Sequence, residues 1–155
     1  ISSQAHLRID TSSTNVHQLR DLIKARVKNA DNQSISIMFE SFGFKHGVPI
    51  DADFVFDIRC LPNPHWAPEL RTLTGFDEDV ICYLDEFDEV KEMFNDIMGF
   101  MHKWIPRFEA DNRSYVTIAI GCTGGQHRSV YLVNKLAKAI GNKHNNVLSR
   151  HREIL

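Results

Sequence analysis

The stretch CTGGQHR, Cys122 to Arg128, places a thiol, a hydroxyl, an imidazole and a guanidinium on one short glycine turn. An apolar, β-branched run (Tyr115 to Ile120) leads into it, and apolar residues at helical spacing (Val130, Val133, Leu136 or Ala137, Ile140) lead out. A strand that feeds a glycine loop into a helix start suits an anion: glycines let backbone N–H groups turn inward, and the first helical amides carry partial positive charge. Arg128 adds a planar fork matched to phosphate. The competing reading is a tight turn whose polar side chains only cap the helix. Two adjacent glycines with Thr123, His127 and Arg128 close by favour an anion site, with Thr123, Gly124, Gly125, His127 and Arg128 as its residues.

Two other chemistries share the pattern. Cys122 and Arg128 have five residues between them, the Cys-x5-Arg spacing of cysteine phosphatases, where a helix N-terminus acidifies the thiol. Against this, Gly121 stands where those enzymes usually carry His, and no general-acid loop is evident; Asp85 and Asp88 read as helix-start residues. A Walker A loop is excluded within this stretch, because no Lys-Ser/Thr follows the glycines. Eight histidines include no HxxH or HExxH, and three cysteines show no ligand spacing, so no metal site is expected. An odd number of scattered cysteines fits free thiols in a reducing compartment.

The elements that must carry these groups read as an α/β pattern. Ile35, Ile37 and Phe39 alternate with Ser36, Met38 and Glu40, the period of a strand. Phe54 to Ile58 is nearly continuously apolar, as in a strand buried on both faces. The loop after it, LPNPHW, is stiffened by Pro62 and Pro64 and presents His65 just past a strand end, where α/β proteins hold ligands. From about Glu86 to Ile105, apolar residues recur every three or four positions, predicting a long helix that Pro106 stops. Asn146 to Leu155 is either a short final strand or a tail. The fold class expected is α/β, a mostly parallel central sheet with flanking helices. Residues 1–33 read as a short strand and a basic helix (Val16, Leu19, Ile23, Val27) with a cap at Asn15, ending in the polar break Asp31 to Ser34, so residues 34–155 form the main domain.

With 155 residues, 43% hydrophobic and 25% charged, the chain is ordinary for a globular domain. No apolar run reaches membrane-spanning length and nothing at Ile1 resembles a signal peptide, so a cytoplasmic location without membrane contact is expected. The net charge of −2 hides an asymmetry. Asp77 to Asp96 holds nine acids and one base, whereas Asn112 to Arg152 holds seven Lys/Arg and no acid. Such a basic half is a footprint for phosphate-rich partners.

FESFGFKHGVPIDADFVFDIRCLPNPHW (Phe39 to Trp66), RTLTG (Arg71 to Gly75), NRSYVTIAIGCTGGQHRSVY (Asn112 to Tyr131) and NVLSRHRE (Asn146 to Glu153) closely resemble the C-terminal domain of the RapZ family of bacterial RNase adapter proteins. The resemblance covers about residues 34–155 and implies a fold similar to a sugar-phosphate-binding subdomain of phosphofructokinase. It implies a module without enzymatic activity that binds glucosamine-6-phosphate and small regulatory RNA and presents the RNA to ribonuclease E, in the control of amino-sugar synthesis. It also implies self-association. By resemblance, His65, Thr123, Gly124, His127 and Arg128 form the sugar-phosphate pocket, with Gly125 beside them, and Lys45, Arg150 and Arg152 contact RNA. The basic face that includes Lys135, Lys138 and Lys143 would follow RNA phosphates. Residues 1–33 resemble the end of the family's N-terminal P-loop domain and its linker, so ATP or GTP would belong to that domain and no cofactor is expected in this chain. Gln126 stands where the family commonly has lysine. Members from enteric bacteria continue past the position of Leu155 into a Lys/Arg-rich tail.

Overall fold

The computed structural model describes residues 9–11, 14, 18, 19, 22, 23 and 35–154. The strand and cap expected around His6 to Arg8 and at Asn15, and most of the expected N-terminal helix and linker, lie outside the described residues.

Four parallel strands form the sheet: β1 (Ser36–Gly43), β2 (Phe54–Asp57), β3 (Tyr115–Cys122) and β4 (Val147–His151), in the order β2-β3-β1-β4. Three α-helices join them: α1 (Glu78–Asp85), α2 (Asp88–Ala110) and α3 (Arg128–Gly141). The α/β class is therefore as expected, and the C-terminal segment is a strand. Its register on β1 sets Glu40 beside Arg150 and Ser41 beside His151. The core is built from Ile37 and Phe39 of β1, Val116, Ile118 and Ile120 of β3, and the apolar stripes of α2 and α3. Burying each such side chain contributes about 1.5–3 kcal/mol. Among the described residues, no helix is long and apolar enough to cross a membrane.

Burial along β1 and β2 runs opposite to their sequence patterns. β1 alternates in sequence, yet all eight residues are buried because it lies between β3 and β4 with both faces covered. β2 is the apolar run, yet it is an edge strand with Val55 43% exposed and Asp57 exposed. Position in the sheet, not strand composition, decides this.

Two helical expectations also change. The segment Glu78–Asp85 is a helix in its own right, so, whereas Asp88 does open the next helix, Asp85, read from sequence as a helix-start residue, is the last residue of this one. Asp77 stabilises its entry by accepting from Thr74 N and Oγ1, at 2.7 and 2.8 Å, and Val80 and Leu84 are buried one turn apart. Pro106 does not stop α2, which continues four residues beyond it to Ala110. A proline inside a helix costs about 3 kcal/mol. The extra turn offsets this by stacking Phe108 on Phe54, centroids 5.6 Å apart, and on Trp104 at 6.4 Å.

Glu40 is the unexpected member of the β1 core. It is 1% exposed; Arg150 Nη1 lies 3.6 Å from Oε1, and Oε2 is buried without a partner among the described residues. Burial, only partly opposed by Arg150, raises its pKa from 4.5 to about 7. A carboxyl whose folded pKa lies above its unfolded one contributes stability that is full below about pH 4.5 and is lost as pH rises through about 7. Glu40→Gln is expected to flatten this dependence. Urea unfolding at pH 5 and pH 8 should show wild type losing ~2–3 kcal/mol over that range and the variant losing much less.

Candidate functional site

The C-terminal ends of β1 and β3 lie side by side, with Gly43 paired to Cys122. From this pair the chain leaves in opposite directions, β1 toward β2 and β3 toward β4. Such a reversal opens a crevice beyond the strand ends, the usual ligand position in open α/β sheets. The crevice here is a cavity of about 190 Å³ lined by Lys45, Asn63, His65, Cys122, Thr123, Gly124, Gln126, His127 and Arg128. It draws on three loops: the 3₁₀ turn Phe44–His46 after β1, the 3₁₀ turn Pro64–Trp66 after β2, and the glycine loop after β3.

Backbone meets backbone where the loops join. Lys45 N donates to Thr123 O at 3.3 Å. A Cβ on Gly43 would stand 2.7 Å from the Gly124 carbonyl carbon, so only glycine admits the close approach. Gly121, where a cysteine phosphatase would carry His, faces the rings of Phe42 and Phe44 with no room for a side chain. Phe44 in turn lies 4.1 Å under the Arg59 guanidinium.

Arg128 is the central group. It opens α3, is only 4% exposed, and donates through Nη1 to the carbonyls of Arg59 and Leu61, both at 2.9 Å. Nη2 reaches Thr123 Oγ1 at 3.3 Å, and Nε is buried without a hydrogen-bond partner among the described residues. Among the described residues, no carboxylate lies within ion-pair distance of it. The arginine therefore braces the β2 loop to the glycine loop, and its charge has no ion-pair partner among the described residues, acting only at longer range on Asp57, which is itself bonded to Arg59.

His127, at the N-cap position of α3, makes no side-chain cap. Its Nε2 lies 3.1 Å from Leu70 O; a carbonyl only accepts, so this nitrogen carries the proton. Burial is the largest influence and holds the imidazole below the ordinary histidine range, with His65 adding to the effect. The two rings are 6.5 Å apart and line the same cavity. Asn63, through Oδ1, accepts from His65 N at 3.3 Å and fixes the turn that presents His65.

The structure thus brings together His65, Thr123, Gly124, His127 and Arg128, with Lys45 at the same cavity. Gly125 sits differently: its N–H donates to Cys122 Sγ at 3.2 Å, and it is not among the lining residues. Cys122 is buried, with Ser129 Oγ also 3.2 Å from its sulfur. The other expected cations are dispersed. Lys138 and Lys143 are exposed at the far end of α3, and Lys138 stands ten residues, ~15 Å, along the axis from Arg128. Lys135 bonds Asp85 at 2.6 Å and the Tyr131 hydroxyl at 2.7 Å, tying α3 to α1. Arg150 pairs with Glu40 and donates to Thr14 Oγ1 at 2.8 Å, and Arg152 donates to Gly47 O at 3.1 Å.

Sequence reasoning missed Gly75, Asn63 and Arg71. Gly75 N donates to Gln126 O at 2.8 Å, and its α-carbon packs on the start of α3. Arg71 donates through Nε to His65 O at 3.2 Å. The signal that could have found Gly75 and Arg71 was the RTLTG motif itself, whose polar residues have no helical or strand period and whose glycine follows a Thr-rich turn.

Among the described residues, no group of three or more His, Cys, Asp or Glu is arranged to hold a metal. A family model described as the RapZ C-terminal domain matches residues 35–155. The chain is 55% identical over 154 residues to a nucleotide-binding protein of Nitrosococcus oceani, covering 99% of this chain and 55% of that protein. It is 56% identical over 155 residues to a nucleotide-binding protein of Thioalkalivibrio sulfidiphilus, covering 99% and 54%. A third relative, a nucleotide-binding protein of Cellvibrio japonicus, is 55% identical over 154 residues, covering 99% and 52%. The chain spans about half the length of these relatives.

Proposed function

The chain belongs to the RapZ C-terminal domain family, and from that premise we propose that it is a cytoplasmic binding module which senses a sugar phosphate, glucosamine-6-phosphate, and carries small regulatory RNA to ribonuclease E. The observation that carries the metabolite half is the buried Arg128, a cation with no ion-pair partner among the described residues, in a cavity lined by no carboxylate of those residues. A desolvated charge of this kind is costly unless an anion neutralises it. The phosphate would sit against Arg128, Thr123 and Gly124, with Lys45 closing over it. His65 and His127 would hydrogen-bond the sugar. A cavity of about 190 Å³ is small for a nucleotide but fits a compact phosphorylated ligand.

Nucleotide binding, the property in the relatives' names, would on this reading fall to the half of those proteins that this chain does not span; the glycine loop here, which lacks the Lys-Ser/Thr of a P-loop, supports that reading. For RNA, the exposed cations Lys45, Lys138 and Lys143 are the primary contacts. Lys135, Arg150 and Arg152 would contribute only beyond the internal bonds they already make. Recognition would follow the RNA backbone and so weaken with salt.

The favoured reading is binding without turnover. The cysteine phosphatase alternative keeps Cys122 in the cavity wall, but no carboxylic acid lines the cavity to protonate a leaving oxygen. Calorimetric titration with glucosamine-6-phosphate is expected to saturate at one site per chain, and glucosamine without the phosphate should not bind. Indistinguishable responses to the two sugars would sink the phosphate reading. Turnover of an aryl phosphate that Cys122→Ser abolishes would replace it with the phosphatase. Gel-shift affinity for RNA should fall steeply across a salt series, and a flat series would remove the phosphate-tracking cations.

A further inference from the structure

Behind the glycine loop lies a carboxylate that phosphate binding does not use. Glu153 follows β4 by two residues and folds back under the loop. Its carboxylate and the Gly43 N–H meet at the position that a Cβ on Gly125 would take, and the amide favours the charged carboxylate. Its Oε2 lies where a side chain on Gly125 would have to go, 2.4 Å from an ideal Cβ, and is buried with no hydrogen-bond partner among the described residues. Gly125 is held at φ +77°, so glycine is required there both for its backbone and for the carboxylate against it. Gly124, the residue before it, lines the cavity. One turn of backbone thus separates the anion site from a fixed acid.

The charged groups facing Glu153 leave it undercompensated. Arg152, next to it in the chain, directs Nη1 to Gly47 O; His46 faces it from the turn after β1; Glu40 faces it from β1 with the same sign. Burial holds the Glu153 carboxyl above the ordinary carboxylate range.

We propose that Glu153 is a positioning residue for the anion loop: it clamps Gly43 against Gly125, and its charge opposes an anion across the loop, so that filling the site is coupled to protonation of this carboxyl. The inference rests on the phosphate reading above. It makes the affinity of the site a function of pH through a group that never touches the ligand.

The two functions of Glu153 separate by substitution. Glu153→Gln keeps an acceptor for Gly43 and removes the charge; Glu153→Ala removes both. The first probe is sulfate, whose charge is constant over pH 5.5–8, followed by glucosamine-6-phosphate. Calorimetry in buffers of different ionisation heat reads proton uptake directly. Wild type should take up protons on binding and weaken as pH rises. For charges ~8 Å apart, between bulk-water and protein-surface screening, E153Q should bind roughly 2- to 30-fold tighter at pH 8. Its proton uptake should drop to the share supplied by the cavity histidines. E153A should bind more weakly than E153Q at every pH, because the Gly43 amide loses its acceptor. In the ligand-free protein, the amide resonances of Gly43 and Gly125 should titrate together in wild type and stay fixed in E153Q. Sulfate binding identical in wild type and E153Q, with equal proton uptake, overturns this inference and leaves the phosphate site standing. Failure of wild type to bind either anion overturns both.

Discussion

Arg128→Ala is expected to abolish sugar-phosphate binding and to loosen the cavity wall. The guanidinium supplies a buried positive charge at the site and also ties the Arg59 and Leu61 carbonyls to α3. Removing it deletes the charge-assisted contact to the ligand and orphans two acceptors. Loss of such a contact with its partner left buried corresponds to at least a hundredfold in affinity, and the orphaned carbonyls to ~2 kcal/mol of stability. Arg128→Lys restores the charge but not the fork, so it should recover the stability loss only in part and bind well below wild type. Calorimetry measures the first effect and urea unfolding the second. Binding by Arg128→Ala at wild-type affinity would place the ligand elsewhere.

Gly75→Ala is expected to be among the most destabilising single-methyl changes in the chain. A Cβ at this position would lie 2.3 Å from His127 O, 2.4 Å from Tyr131 N and 2.8 Å from Val130 Cβ. The first two are backbone atoms of the α3 start and cannot rotate away. Either the RTLTG turn or the helix must move, and the Gly75 N to Gln126 O bond moves with it. Overpacking of this kind costs ~3 kcal/mol, or roughly 6–12 °C in Tm for a chain of this size. Because His127 and Arg128 begin at the same point, ligand affinity should fall as well. Gly99→Ala is the internal control. Gly99 lies on the exposed side of α2 with nothing within 4 Å of its Cβ position, so alanine there should stabilise by ~0.5–1 kcal/mol. Thermal melts of the two variants should move in opposite directions.

The glycine loop is legible in the amino-acid sequence because its information is local. A β-branched run, paired glycines and a 3.6-residue stripe specify strand, turn and helix within one window, and Thr123, His127 and Arg128 ride on that turn. The same holds for β1, β2 and β3. His65 is legible too, since prolines stiffen its loop and the loop follows a strand. What the window cannot carry is neighbourhood. Alternation in β1 and continuity in β2 suggest the wrong one as central, because burial depends on which strands pair beside them. Pro106 obeys a local rule against helix interiors and loses to Phe108 packing on Phe54, 54 positions away in sequence.

The charge pattern shows the same division. Seven Lys/Arg without an acid from Asn112 to Arg152 read as one basic face. Folding distributes them: Arg128 is buried in the cavity wall, Lys135 joins Asp85, Arg150 joins Glu40, and Lys138 and Lys143 remain in solvent. Partners such as Asp85 and Glu40 come from elements 50 and 110 residues distant, and no local pattern encodes them. Sequence alone determined that a strand, a glycine loop and a helix would carry Thr123, His127 and Arg128 on one turn, since adjacent residues and backbone geometry suffice for that. Only the tertiary structure decided that β1 lies beside β3, that Arg128 is a buried cation in the cavity wall, and that Glu153 stands behind the loop. Those facts arise from contacts between segments far apart in the chain, where burial and the low dielectric that comes with it set the energy of each charge.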